Sequence, residues 1–180
     1  MDKRSQLILF SISLFGVISI LLSCENDDIC AEVSITPYLI IRFMDFEDQD
    51  DPDDISSLQV RYIGDPNNDA DNDSLVFDGA TTTDSITLSL PTTKDQVTYV
   101  FYQDFDDDNE DDLTETELDT IIFTYSRANE YVSRACGYKT IYSNFRASIG
   151  ENTGNGFILG ENVEQTTIED EEEAHIRLFH

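Results

Sequence analysis

The chain has 180 residues, of which 38 are Asp or Glu and 10 are Lys or Arg, so its formal net charge at pH 7 is −28. This balance argues against nucleic acid as a partner, because phosphate backbones are bound through Lys and Arg, and it argues against anionic lipid headgroups. It favours solvation, cations or basic partners. The length fits one domain with a real core.

The chain opens as an export signal. A basic start, Met1 to Arg4, precedes an apolar run from Leu7 to Leu22 that only serines and one glycine interrupt. The run is shorter than the roughly 20 residues of a spanning helix and ends in the lipobox Leu21-Leu22-Ser23-Cys24. We therefore expect residues 1–23 to be a cleaved lipoprotein signal peptide and Cys24 to be lipidated. An uncleaved N-terminal anchor helix is the alternative.

The acidic stretch directly after Cys24, Glu25-Asn26-Asp27-Asp28, resembles the surface-export signal of Bacteroidota lipoproteins. The resemblance implies a protein held to the outer membrane by its acyl chains, either surface-exposed or periplasm-facing. Residues 24–33 then form an acidic tether, followed by a single domain at 34–180.

The chain has three cysteines, an odd number that calls for an explanation in an exported protein. Lipidation of Cys24 would leave Cys30 and Cys136, which an oxidising compartment would join in a disulfide. Two buried thiols are the alternative.

Short apolar runs with a period near two follow from about residue 34, and no helical stripe lasts ten positions. Strands are predicted at 38–46, 58–63, 74–77, 85–90, 96–103, 119–125, 131–136, 138–145 and 174–179, with a weaker one within 157–168. So many short strands with turn signals between them indicate an all-β antiparallel β-sandwich. An immunoglobulin-like topology is the first choice and a jelly roll the alternative.

Most acidic residues lie between the predicted strands, in the stretches 45–54, 65–73, 104–119 and 169–173. Five of them occupy positions 1, 3, 5, 7 and 12 of an EF-hand-like loop: Asp106, Asp108, Glu110, Asp112 and Glu117. Calcium takes several carboxylate ligands, but position 6 of such loops requires glycine and here is Asp111. The alternative is a solvated acidic loop that keeps sheet edges from pairing.

Catalytic residues are not evident. The only histidines are His175 and the terminal His180, and alternation predicts that His175 faces solvent. One histidine does not make a Ser-His-Asp set or support a zinc site. We therefore expect no catalytic residues and no cofactor, with calcium as the possible exception.

Three segments resemble a Bacteroidota lipoprotein family catalogued as a domain of unknown function: Cys30-Ala31-Glu32, the strand PYLIIRF at 37–43 and, most specifically, the block YVSRACGYKTIY at 131–142. The resemblance extends over the whole mature chain. It implies an exported, lipid-anchored β-protein with matched cysteines at Cys30 and Cys136. It brings no known activity, so no catalytic role is carried over.

The sequence therefore favours a non-enzymatic, outer-membrane lipoprotein that acts as a binding or envelope-structural module. Its partners would be the membrane, through the lipid, and an unidentified envelope or extracellular protein. A calcium-dependent binding or adhesion module using loop 104–119 is the second hypothesis. A small hydrolase is the third.

Overall fold

The computed structural model of the protein describes residues 36–63, 73–79, 82–103, 117–150 and 156–180. The chain divides into two compact units, Met1–Val33 with Val132–Gly137 and Ser34–Tyr131 with Tyr138–His180. The predicted signal peptide 1–23, the tether 24–33 and most of the acidic loop 104–119 lie outside the described residues. The predicted domain limits therefore stay predictions.

The described residues form strands and connecting segments, without a helix among them. The strands are β1 Leu39–Met44, β2 Gln59–Ile63, β3 Asp73–Asp78, β4 Ser85–Leu88, β5 Gln96–Gln103, β6 Glu117–Ser133, β7 Gly137–Ile149, β8 Gly160–Val163, β9 Thr167–Ile168 and β10 Ile176–Phe179. Within this described part, no helix is long and apolar enough to cross a membrane.

The strands form two sheets that pack face to face, which confirms the predicted β-sandwich. The smaller sheet has the order β4-β1-β10-β8 and the larger the order β3-β2-β5-β6-β7-β9. In the smaller sheet β1 and β10 are parallel, whereas the flanking pairs of β1 with β4 and of β10 with β8 are antiparallel. In an immunoglobulin constant domain the first strand pairs with the second, whereas here the first strand lies between the fourth and the last.

Most predicted strands are found close to their expected limits, and the prediction 96–103 coincides with β5. One division is wrong: the predicted strands 119–125 and 131–136 are a single strand that ends at Ser133, and residues 134–136 form a turn. Asn129 lies between the two predicted strands, and its side-chain oxygen accepts a hydrogen bond from the Thr140 hydroxyl on the neighbouring strand at 3.3 Å. Gly137 completes the turn with φ +72°, a backbone conformation that glycine adopts without steric cost.

Side-chain alternation directs the core between the sheets. In β4, Ile86 and Leu88 are buried while Thr87 is exposed. In β7 the buried face changes from Thr140 and Tyr142 to Phe145, because Asn144 adopts φ +53° and shifts the alternation by one residue. The Phe123 and Phe145 rings then stack with centroids 5.5 Å apart.

Three buried tyrosines of the larger sheet, which we call the tyrosine clamp, hold the segment that leads from β4 of the smaller sheet to β5 of the larger one. Their hydroxyls donate to three consecutive carbonyl oxygens: Tyr99 to Ser89 at 2.5 Å, Tyr142 to Leu90 at 2.7 Å and Tyr125 to Pro91 at 3.2 Å. Burial raises the pKa of Tyr142 to about 12 and also raises the pKa values of the other two hydroxyls. The hydroxyls therefore stay protonated and remain donors.

The clamp predicts the effect of a single hydroxyl. Replacing Tyr142→Phe keeps the ring but leaves the carbonyl oxygen of the buried Leu90 without this donor, so we expect the free energy of unfolding to fall by about 1–3 kcal/mol. Urea denaturation measures the change. The matched control is Tyr138→Phe, which alters a ring that is 64% exposed and should change stability by less than about 0.5 kcal/mol. Equal effects of the two variants would contradict the role of the clamp.

Candidate functional site

Two arginines lie side by side on the outer face of the smaller sheet. The parallel pairing of β1 with β10 places Arg42 opposite Arg177. Residues on either side of them in the strands, such as Ile41 and Ile176, are fully buried in the core, so alternation points both arginines outward. Two guanidinium groups in neighbouring register positions repel each other unless acids compensate them.

Each arginine has an acidic partner. The Nη2 atom of Arg42 lies 3.7 Å from Asp84 Oδ2, and Nε of Arg177 lies 3.2 Å from Glu164 Oε1. Glu164 also accepts a hydrogen bond from the Asn162 side chain at 2.6 Å. All four charged side chains remain about one-third to one-half exposed, so the pairs hold geometry more than they stabilise the fold.

The arginine pair forms the floor of a surface groove of about 480 Å³. Its lining combines both guanidinium groups with carboxylates and few apolar groups: Ile40, Arg42, Ser85, Glu164, Glu172, Glu173, Ala174 and Arg177. The last acidic run of the sequence, 169–173, thus contributes to a defined surface.

Backbone contacts attach this acidic run to the start of β1. The Tyr38 N–H donates to Glu171 Oε1 at 3.1 Å. The Ile40 N–H donates to Nδ1 of His175 at 2.9 Å, and His175 N–H donates in turn to the Ile40 carbonyl oxygen at 2.9 Å. The acidic run 169–173 is therefore anchored to the smaller sheet through Glu171 and the neighbouring His175.

The predicted exposure of His175 is wrong, because the residue is fully buried and precedes β10 instead of alternating within it. Since Nδ1 accepts a hydrogen bond, the ring is neutral and Nε2 donates to the Asp170 carbonyl oxygen at 3.1 Å. Burial lowers the pKa of His175, an effect that the Asp170 contact and the charges of Asp170 and Glu171 oppose. Both ring nitrogens are engaged with the backbone, so neither is available as a catalytic base.

Asp119 is the other buried ionisable side chain that alternation did not single out. It is fully buried in β6, and its Oδ2 accepts hydrogen bonds from the Phe157 and Ile158 N–H groups, both at 2.7 Å. Burial raises the pKa of the carboxyl, and the two hydrogen bonds oppose this rise. A perturbed carboxyl can mark a catalytic acid, but this one holds the segment before β8 against the sheet.

The terminal His180 is ordered against the first strand, although chain ends usually are not. Its N–H donates to the Met44 carbonyl oxygen and its own carbonyl oxygen accepts from Phe46 N–H, each at 3.1 Å. Its Nε2 lies 3.7 Å from Asp53 Oδ2. The two histidines therefore bond to β1 at opposite ends of the β1–β10 pair, His175 at Ile40 and His180 at Met44.

The predicted calcium ligands are described only in part. Asp106, Asp108, Glu110 and Asp112 lie outside the described residues, and Glu117 is exposed as the first residue of β6. Among the described residues, no group of three or more His, Cys, Asp or Glu side chains could hold a metal ion. Calcium binding stays a prediction.

The predicted cysteine sites also lie largely outside the described residues, which include neither Cys24 nor Cys30. Cys136 is described and lies in the turn after β6. Its N–H donates a hydrogen bond to the Ser133 hydroxyl at 3.0 Å. Cys136 has a further interaction.

A protein-family model described as a family of unknown function, DUF6452, matches residues 58–180. The match includes β2 to β10 and Cys136 but begins after Cys30 and β1, so two of the three segments on which the expected resemblance rests lie outside it. Comparison with curated proteins and with solved structures finds no match.

The neutral state of His175 predicts a pH dependence. A folded-state pKa below the ordinary value means that the unfolded chain binds the proton more readily, so the stabilisation is complete above the unfolded pKa of about 6.5. It is lost as pH falls through the folded pKa. Protonation would place a hydrogen on Nδ1, against the N–H of Ile40.

An NMR titration of the imidazole protons measures this pKa directly, and His180→Gln assigns the two signals. We expect the His175 pKa to lie below 6.5. In urea denaturation, the loss of stability between pH 7.5 and 5.5 should shrink in His175→Gln. A His175 pKa at or above the ordinary value would contradict the buried neutral ring.

Proposed function

The chain belongs to the DUF6452 family, whose function is unknown, and from this premise we propose that it is a non-enzymatic exported lipoprotein. Lipid on Cys24 anchors the β-sandwich to the outer membrane, where it acts as a binding or envelope-structural module. The membrane and an envelope or extracellular protein are its partners.

The proposal that the protein is not an enzyme is supported by the hydrogen bonds that its buried polar side chains make to the backbone. Asp119 accepts from two backbone N–H groups, His175 contacts the backbone through both ring nitrogens, and the clamp hydroxyls donate to carbonyl oxygens. Catalytic groups need a lone pair or proton that is available to a substrate. These groups instead satisfy backbone atoms that would otherwise be buried without partners.

The groove on the smaller sheet supports a binding role. Arg42 and Arg177 are held in register by main-chain pairing and compensated by Asp84 and Glu164. Such a surface presents both signs of charge at defined positions, which favours specificity for a polar partner over raw affinity. Ser85 is the one hydroxyl among the groove residues, and the only nearby imidazole is engaged with the backbone. A hydrolase therefore has less support than a binding module.

The sequence of the leader carries the anchoring part. The apolar run at 7–22 fits a signal peptide, and the residues Leu21-Leu22-Ser23-Cys24 at its end fit a lipobox. Diacylation would bind the protein stably, since each buried methylene contributes about 0.8 kcal/mol.

Lipidation is tested on the full chain in a bacterial host. We expect Cys24→Ala to abolish palmitate labelling and to release the protein from the membrane fraction. Cys30→Ala is the matched control, because it removes a nearby thiol outside the lipobox and should keep the label. If the Cys24→Ala protein is still labelled and still sediments with membranes, the anchoring proposal is wrong.

We also propose that Cys30 and Cys136 form a disulfide. Cys136 lies in the turn after β6, and an oxidising compartment favours pairing of the two thiols. With Cys24 lipidated, Cys30 is the remaining candidate among the three cysteines. The bond would close a loop of about 107 residues, which on the chain-entropy model contributes up to roughly 4–5 kcal/mol.

Maleimide labelling of the denatured, unreduced protein tests the pairing. We expect no label on Cys30 or Cys136 before reduction and label on both after it. Labelling of both cysteines without reduction is the outcome that excludes the bond.

A further inference from the structure

Strands β6 and β7 run past the strands that flank them. β5 pairs with β6 only over Glu117 to Thr124, and β9 pairs with β7 only at Tyr142 and Ser143. Beyond these pairings β6 continues to Ser133 and β7 begins at Gly137. We call residues 126–131 and 138–141, which form this two-stranded extension, the arm.

The arm carries an exposed aromatic pair. Tyr131 is 55% exposed and Tyr138 is 64% exposed, and their rings meet edge to face with centroids 5.5 Å apart. Strand alternation places Tyr131 and Tyr138 on the same face of β6 and β7 as Tyr125 and Tyr142, whose rings are in contact in the core. A tyrosine has an apolar ring and a polar tip, which suits a boundary between an apolar and an aqueous phase.

The arm and its continuation are the basic part of an acidic protein. Residues 124–149 contain four basic residues, Arg127, Arg134, Lys139 and Arg146, and one acidic residue, Glu130, for a net charge of +3. The rest of the chain then has 6 basic and 37 acidic residues, a net charge of −31. The total charge therefore hides a strong segregation of sign, and the argument against anionic lipid applies to the sandwich rather than to the arm.

Ion pairs leave part of this positive charge available. Lys139 Nζ lies 3.6 Å from Glu130 Oε2, and Arg127 pairs with Asp95 at 2.7 Å. Arg134 and Arg146 are exposed. Near an anionic surface each Lys or Arg contributes about 1 kcal/mol, which corresponds to about fivefold in an equilibrium constant.

Chain connectivity limits how far the arm can lie from the lipid. Tyr138 is two residues from Cys136, the proposed partner of Cys30, and Cys30 is six residues from Cys24. Six extended residues span at most about 20 Å. The proposed bond would thus hold the chain next to the arm within about that reach of the acylated residue.

We infer that the arm docks on the headgroup layer of an anionic lipid surface, with Tyr131 and Tyr138 in the interface and the basic side chains over the lipid phosphates. This inference rests on the proposed anchoring through Cys24 and on the proposed bond between Cys30 and Cys136.

The chain has no tryptophan, so a single introduced indole reports on the arm. The full-length lipidated protein carrying Tyr138→Trp is reconstituted into phosphatidylglycerol/phosphatidylcholine vesicles that contain brominated lipid. We expect a blue shift and strong quenching, both reduced in pure phosphatidylcholine and in 0.5 M salt. Leu159→Trp, at a position that is 57% exposed outside the arm, is the matched control and should stay unquenched.

Charge removal gives the second measurement. Arg134→Ala, in the Tyr138→Trp background, should lower the ratio of docked to undocked arm by roughly fivefold. Vesicle flotation separates the two proposals: protein that does not float contradicts the anchoring. Protein that floats but shows no quenching of the introduced indole overturns the docking alone. A spectral change that appears only when envelope proteins are added would assign the arm to a protein partner and overturn the docking as well.

Discussion

Hydrogen bonds from buried tyrosine hydroxyls to the carbonyl groups of residues 89–91 are the constraint on which the two sheets depend. A segment that leaves one sheet for the other loses its ladder partners, and its carbonyl oxygens still need donors when buried. A tyrosine meets this need without adding a charge. The same rings fill the core: the ring centroids of Tyr125 and Tyr142 are 5.0 Å apart, and those of Tyr99 and Phe123 are 6.1 Å apart. Polar satisfaction and apolar packing therefore rest on one set of side chains.

The acidity of the protein is compatible with this core because charge and burial are separated. Most of the described acids lie in connecting segments, where water screens their mutual repulsion. Asp119 is the fully buried exception, and two N–H groups oppose the cost of its burial. The basic residues lie mainly in strands, where Arg42 and Arg177 shape the groove and Lys139 belongs to the arm. The arginine-lined groove and the arm are thus two distinct surfaces of an acidic protein.

Buried ionisable groups in this protein serve the backbone. His175 links the acidic run 169–173 to β1, and Asp119 holds the segment ahead of β8. Burial shifts the pKa of both residues, and in each case hydrogen bonds to backbone atoms oppose the shift. The same contacts explain why the surface features, the groove and the arm, are the better candidates for function.

Local patterning by itself determined the class of structure. Alternation of apolar and polar residues predicted the strands, including β5 at its observed limits, because the side-chain period of a strand is visible in the sequence. The acidic composition was also readable, since it depends on counts alone.

Only the tertiary structure decided which distant residues meet. The parallel pairing of β1 with β10 joins residues about 135 positions apart, and no local pattern specifies such a partner. That pairing places Arg42 beside Arg177 and buries His175, which alternation alone put at the surface. Pairing with β7 likewise carries β6 through Asn129, whose side chain accepts a hydrogen bond from Thr140 across the ladder. Local periodicity sets the strand and its faces, whereas burial of one particular face against one particular partner is set by packing of the whole chain.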